Sequence, residues 1–469
     1  MCRTITLVVW LVACGDGTPR EPTVNVKPER HEEESFGPIA GSPQAPGDPD
    51  AGYGTLVDYG YVTCGIPHVL YERFLAGSLG GERLPGRTGK NRTLPYYLTA
   101  AETPGGVTVV GANCLGCHAA YLDGELVIGL GDNFGDYTTE TTGVESAALL
   151  LLPNGPVRDE AARFLERTAA IAPHTRTDTW GVNPADDVAL AVFAHRDPET
   201  FEWLDEPRWR LPDAPVPLDV PPLWNVGHKT ALYYMGSGRG DHARLMMSAA
   251  AFCTDDVEEA RRIAERFADV RAYLATIEPP SFPGALDAEL AEEGAPVFER
   301  FCAGCHGSPL DGWSEPTRLV PLREVGTDRL LAERGQLLAG AFAESYEASF
   351  YGEGTELVFT RGYVAPPLRG VWATAPYFHN GSVPTLDAVI DRDLRPRFFR
   401  RTFYSRDYDL ERVGWRYEEL DAGKDAAAPD ERAAIYDTTR PGYGNHGHRY
   451  GDLLSRDERR AVLEYLKTL

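Results

Sequence analysis

Methionine is scarce in this chain of 469 residues: there are four, and none lies beyond Met247. An iron held in the C-terminal part of the chain therefore cannot take a Met ligand from that part. Apolar length is also lacking at the N-terminus, where the run Ile5 to Ala13 is too short to cross a bilayer. Positive charge is in short supply, with 46 Lys and Arg against 70 Asp and Glu, a net −24. Such a surface argues against nucleic-acid partners and anionic membranes, and favours a small basic redox protein or a small-molecule oxidant or substrate. No phosphate cradle is legible either. Gly236-Ser-Gly-Arg-Gly240 lacks the strand-to-helix setting that a nucleotide or flavin site requires.

What is present is one pattern written twice, Cys114-Leu-Gly-Cys117-His118 and Cys302-Ala-Gly-Cys305-His306. C-x-x-C-H attaches c-type haem: the thiols on one turn form thioethers with the porphyrin edge, and the adjacent His reaches the iron. A thiol redox pair has no need of the trailing His. A zinc site needs further Cys or His at short spacing, and neither segment supplies them. The two motifs predict two covalent haems c, with His118 and His306 as proximal ligands. Of the eight Cys, four are thereby used and two lie near the N-terminus, leaving Cys64 and Cys253, which are free to pair or not as far as sequence goes.

Residues 1–13 read as a secretory signal, and Leu11-Val12-Ala13-Cys14 resembles a lipobox. This predicts a bacterial cell-envelope protein, periplasmic or outer-surface, lipid-anchored at Cys14, or secreted if the lipobox is not used. Residues 14–52, acidic and broken by Pro and Gly, read as a disordered tether. Around the second motif, Leu286, Leu290, Gly294, Val297, Phe298 and Phe301 recur at helical spacing. Ser455-Arg-Asp-Glu458 is a capping box ahead of Val462, Leu463, Leu466 and Leu469. Val270 to Ile277 repeats Val462 to Leu469 as a closing helix, with Tyr273 matching Tyr465. Pro279 to Gly284 separates the two. The expected fold is mainly α with extensive irregular loops, in two cytochrome c-like domains, 53–278 and 285–469, each with one covalent haem. Val107 to Val110 reads as a strand; 173–243 and 306–384 show little periodicity.

With no Met available, the sixth ligand of the second haem is His448, in Gly444-Asn-His446-Gly-His448, or alternatively His379 or His446. The first haem is open unless His228, Met235, Met246 or Met247 closes it. The run Leu368-Arg369-Gly-Val-Trp372-Ala-Thr374-Ala-Pro376-Tyr-Phe-His379-Asn380-Gly-Ser-Val-Pro384 resembles the signature of the bacterial dihaem cytochrome c peroxidase superfamily. Pro221-Pro222-Leu-Trp224-Asn225, Gly238 to Met247 and Gly444 to His448 are more similar to its rubber-oxygenase branch. The resemblance spans about 105 to 469. It implies His448 as sixth ligand, Trp224 as an aromatic between the haems, and a calcium held by Asn225, Thr374 and Pro376. It also implies a haem-dependent oxidoreductase, oxygenase-like or peroxidase. The chain departs from the peroxidases, however, in having no His between His195 and His228, and only Asp241 and His242 where they carry a catalytic Glu. The reading is an exported redox enzyme with an open first haem for O2 or peroxide and a bis-His second haem for electron transfer. A peroxidase with rearranged distal residues and a pure electron-transfer cytochrome are the alternatives.

Overall fold

The computed structural model describes residues 36–139 and 152–469. The signal and Cys14 lie outside these residues, as does most of the tether. The described part of that tether is ordered. Gly37–Pro38 forms a strand against Arg318–Pro321, Ile39 is buried, and the helix Pro49–Val57 starts on the Asp48 N-cap, whose carboxylate accepts from the Asp50 and Ala51 amides. Asp followed by Pro at the first helical position is a strong start signal, and it places the beginning of the fold ahead of residue 53.

Two helix pairs frame the molecule. Pro49–Val57 packs on Val257–Leu274, and Ala288–Phe301 packs on Arg456–Leu466. A glycine makes each crossing. A Cβ on Gly52 would stand 1.9 Å from the Asp269 carbonyl oxygen and 2.9 Å from Tyr273 Cβ; one on Gly294 would stand 2.0 Å from that of Ala461 and 2.9 Å from Tyr465 Cβ. The helix backbones thus touch at the same Gly–Tyr contact in both pairs. The Ser455–Glu458 capping box is formed, and Thr108–Ala112 is a strand, paired with Leu98–Glu102 and Ile66–Pro67.

The expected fold class needs correction. Helices hold 39% of residues and strands 14%, the strands forming six small antiparallel sheets among the described residues. Residues 36–469 form one compact unit rather than two separate domains. The sheets join what the sequence seemed to divide: Gly37–Pro38 and Gly362–Ala365 flank Arg318–Pro321, and Gly238–Gly240 pairs with Thr355–Leu357. These strands are two to four residues long and drawn from Gly- and Pro-rich stretches, too short to show alternation. The stretch 306–384 also holds a long helix, Leu330–Ala348. Cys64 and Cys253, left open by the sequence, form a disulfide, with Cα atoms 5.0 Å apart. It ties the segment after the first helix to the start of the Val257–Leu274 helix.

Candidate functional site

Each C-x-x-C-H segment is a single helical turn. The His118 amide donates to the Cys114 carbonyl at 3.0 Å and the His306 amide to that of Cys302 at 3.1 Å, which puts both thiols and the imidazole of each motif on one turn. The first turn hangs from the strand Thr108–Ala112 and is pinned by the Tyr61 hydroxyl, which accepts from the Cys114 amide at 2.9 Å. The second continues directly from the helix Ala288–Phe301. Both imidazoles are held alike. His118 Nδ1 lies 3.2 Å from the Pro221 carbonyl oxygen and His306 Nδ1 lies 2.8 Å from that of Pro366. Donation from Nδ1 fixes the tautomer and leaves Nε2 with its lone pair for a metal. Burial works in the same direction, lowering His306 and pushing His118 down to about 4, so both rings are neutral at ordinary pH.

Across a cavity of about 290 Å³ from His306 stands His448. The two ring centres are 6.3 Å apart. Two imidazole nitrogens at about 2 Å from one first-row metal, each with its ring centre about 1.1 Å further back, separate the centres by roughly 6 Å. The pair therefore fits a single ion between them. His448 sits at φ 44°, its amide donating to Val325, and the Arg395 guanidinium clasps its loop through the Asn445 and Gly447 carbonyls at 2.9 and 2.7 Å. Burial, then His306 and Arg395, lower His448 to about 3. The cavity walls are mostly apolar, with Phe301, Val325, Phe378, Ile390, Leu454 and Val462 around the Cys302 and Cys305 thiols. A porphyrin fits this donor set and lining.

Of the alternative ligands, His379 lines the same cavity, stacks on Tyr363 with centroids 4.3 Å apart, and leaves Nε2 without a partner. His446 is exposed. Asn225, Thr374 and Pro376 share the cavity wall. The Asn225 amide donates to the Pro367 carbonyl at 3.0 Å while its Oδ1 is buried without a partner, and the Thr374 hydroxyl donates to Val371. Among the described residues no group of three His, Cys, Asp or Glu side chains converges as on a metal. A calcium here would rest on amide and carbonyl oxygens alone.

Around the first motif the two expected acid–base residues differ in what holds them. Asp241 caps the helix His242–Met247, accepting from the Ala243 amide at 2.9 Å. His242 is 1% exposed with both ring nitrogens unpartnered, and burial lowers it to about 4. Met235 packs beside Gly335, Met247 is in the apolar core, Met246 is partly buried against that core, and His228 is half-buried with Arg369 and Glu278 near it.

A second internal repeat escaped the sequence reading. Pro221-Pro222-Leu223 and Pro366-Pro367-Leu368 lead into matching turns, Val226–His228 and Val371–Ala373. Tyr233 and Phe378 then take φ of 66° and 69°, and Gly236 and Gly381 φ of 61° and 69°. Equivalent bridges, Leu232 with Gly238 and Tyr377 with Val383, close both loops. The signal was there, in Pro-Pro-Leu-x-x-Val, but too short to outweigh chance. The repeats bind each other through equivalent positions: Trp224, fully buried, donates its indole N–H to the Arg369 carbonyl at 2.8 Å, and the Arg369 guanidinium donates back to the Trp224 carbonyl at 2.9 Å. Each repeat holds one proximal histidine through its first proline.

With this geometry in view, residues 362–400 match the family described as RoxA-like, cytochrome c-like. That part of the chain is similar to this family of cytochrome c-like domains. Such a domain carries covalently bound haem c, which agrees with the thiols and imidazoles assembled here. The chain is also 29% identical over 259 residues to the uncharacterised protein y4iJ of Sinorhizobium fredii, covering 41% of each chain. It is 26% identical over 303 residues to the uncharacterised protein y4iM of the same organism, covering 55% of this chain and 66% of that one. The chain thus spans less than half of the first relative and just under two thirds of the second.

Proposed function

We propose that the protein is an exported dihaem c-type cytochrome that acts as a redox enzyme. One haem is held by Cys114, Cys117 and His118 with an open face for O2 or peroxide. The other is held by Cys302, Cys305, His306 and His448 and passes electrons. Iron with a free face supplies oxygen chemistry, and iron between two imidazoles supplies electron transfer. The observation that carries this reading is an asymmetry: the ring centre of His448 lies 6.3 Å from that of His306, while no ring of the described residues makes such a contact with His118. Trp224 and Arg369, bound to each other between the two proline carbonyls that hold the proximal rings, are the route for electrons. Asn225 Oδ1 is the side-chain oxygen open to a calcium at this junction. The lipobox-like Leu11 to Cys14 and the disulfide, a bond of oxidising compartments, support a cell-envelope location. The acidic surface suits a basic redox partner.

Low-temperature electron spin resonance of the resting protein tests the assignment, with one high-spin or O2-bound centre and one low-spin centre expected, and CO binding to the first after dithionite. Two low-spin centres with no CO complex would make the protein an electron carrier instead.

A further inference from the structure

The sulfurs of the two attachment turns are surrounded differently. At the first turn the Tyr137 hydroxyl lies 3.8 Å from Cys117 Sγ. The Asn183 side-chain amide lies 3.6 Å from the same sulfur and 3.1 Å from the Tyr137 hydroxyl oxygen. At the second turn no side chain of the described residues hydrogen-bonds the sulfur of Cys302 or Cys305, on which only burial and neighbouring charges act. Neither Tyr137 nor Asn183 is an iron ligand or part of the Trp224–Arg369 junction.

Both side chains are fixed by the backbone that carries them. The Tyr137 carbonyl accepts from the Thr177 amide at 3.0 Å, and the Tyr137 ring folds over Gly135, where a Cβ would stand 2.7 Å from a ring carbon. Asn183 is buried and exchanges backbone hydrogen bonds with Leu218 at 2.8 and 3.0 Å. Leu218 lies on the segment that leads to Pro221, whose carbonyl holds His118. One stretch of chain thus sets both the proximal ring and the amide beside the sulfur. Burial first and Cys117 second raise the Tyr137 phenol, so it keeps its proton at ordinary pH.

We infer that Tyr137, backed by Asn183, is a positioning residue that hydrogen-bonds the Cys117 sulfur once haem is attached and raises the reduction potential of the first haem. This rests on the assignment of a covalent haem to Cys114, Cys117 and His118. Attachment replaces the S–H bond of Cys117 by an S–C bond, so the sulfur can then only accept. The donors are the phenol and one N–H of Asn183, whose other N–H goes to the phenol oxygen, and each bond in such a chain polarises the next. A donor on the sulfur draws electron density from the porphyrin joined to it, which favours the ferrous over the ferric state; hydrogen bonding of this kind is a lever on haem potential. With no such donor at the second turn, an electron runs from the second haem to the first, one iron passing from ferrous to ferric as the other passes from ferric to ferrous.

Two measurements on the full-length dihaem protein test this. Resonance Raman spectroscopy in H2O and D2O reads the thioether C–S stretches, and a redox titration followed by absorbance reads the two midpoints. In the wild type one C–S band is expected to shift in D2O. Tyr137→Phe, which removes only the hydroxyl, should lose or reduce that shift and lower the midpoint of the first haem, with the second unmoved. A wild-type spectrum indifferent to D2O, or a Tyr137→Phe midpoint equal to that of the wild type, overturns the inference and leaves the dihaem reading standing. A protein mass lacking the haem on the first motif overturns that reading and this inference together. If Tyr137→Phe fails to fold, Asn183→Ala decides: a lowered first midpoint supports the assignment, and an unmoved one rejects it.

Discussion

Burial and a single hydrogen bond set the state of each functional imidazole. A carbonyl from each Pro-Pro pair takes the Nδ1 proton of a proximal histidine, and burial keeps the ring neutral, so a metal-ready Nε2 exists before any metal arrives. His448 reaches the same state by a different route, in a turn at positive φ clasped by Arg395. Replacing His448 with Ala is expected to turn the second haem from low to high spin in the resonance spectrum. His379→Ala should leave it low-spin, since that ring is stacked on Tyr363 in the cavity wall. The reverse result would exchange their roles. The two C-x-x-C-H turns were legible from sequence because their residues are neighbours in the chain, packed into one turn.

Among the elements, the two glycine-mediated helix crossings carry the frame. Gly294→Ala forces a methyl to within 2.0 Å of the Ala461 carbonyl oxygen, and Gly52→Ala to within 1.9 Å of that of Asp269. Each should cost about 2–3 kcal/mol in denaturant unfolding, as overpacking against backbone does. Gly54, in the same helix as Gly52, has nothing within 4 Å of its would-be Cβ, and Gly54→Ala should add about 0.5–1 kcal/mol by helix propensity. Equal effects at Gly52 and Gly54 would contradict the crossing. The second pair was readable because its front helix is long and strongly patterned. Pro49–Val57 was not: it is nine residues long, carries two glycines, and follows a segment whose composition reads as tether.

At the scale of the whole molecule, the short sheets make one body of a chain that its repeats seemed to split. Gly37–Pro38 lies on Arg318–Pro321, and Gly238–Gly240 on Thr355–Leu357. Trp224 and Arg369 exchange hydrogen bonds across the same junction. The Cys64–Cys253 disulfide closes a long loop, with a sequence separation of 189. Replacing both cysteines with Ser should lower unfolding stability by about 2–5 kcal/mol, the usual loss when a long native loop is opened. An unchanged unfolding midpoint under non-reducing conditions would show that the bond contributes nothing.

The sequence by itself determined that two C-x-x-C-H turns set paired thiols beside an imidazole, that no methionine follows Met247, and how the closing helices repeat. All of these depend on residues near one another along the chain, where covalent spacing and helical period govern. The tertiary structure alone decided that His448 faces His306, that the proline pairs orient the proximal rings, that Cys64 meets Cys253 and that the halves share sheets. Those choices bring together residues far apart in the chain, where only packing of the whole selects a partner.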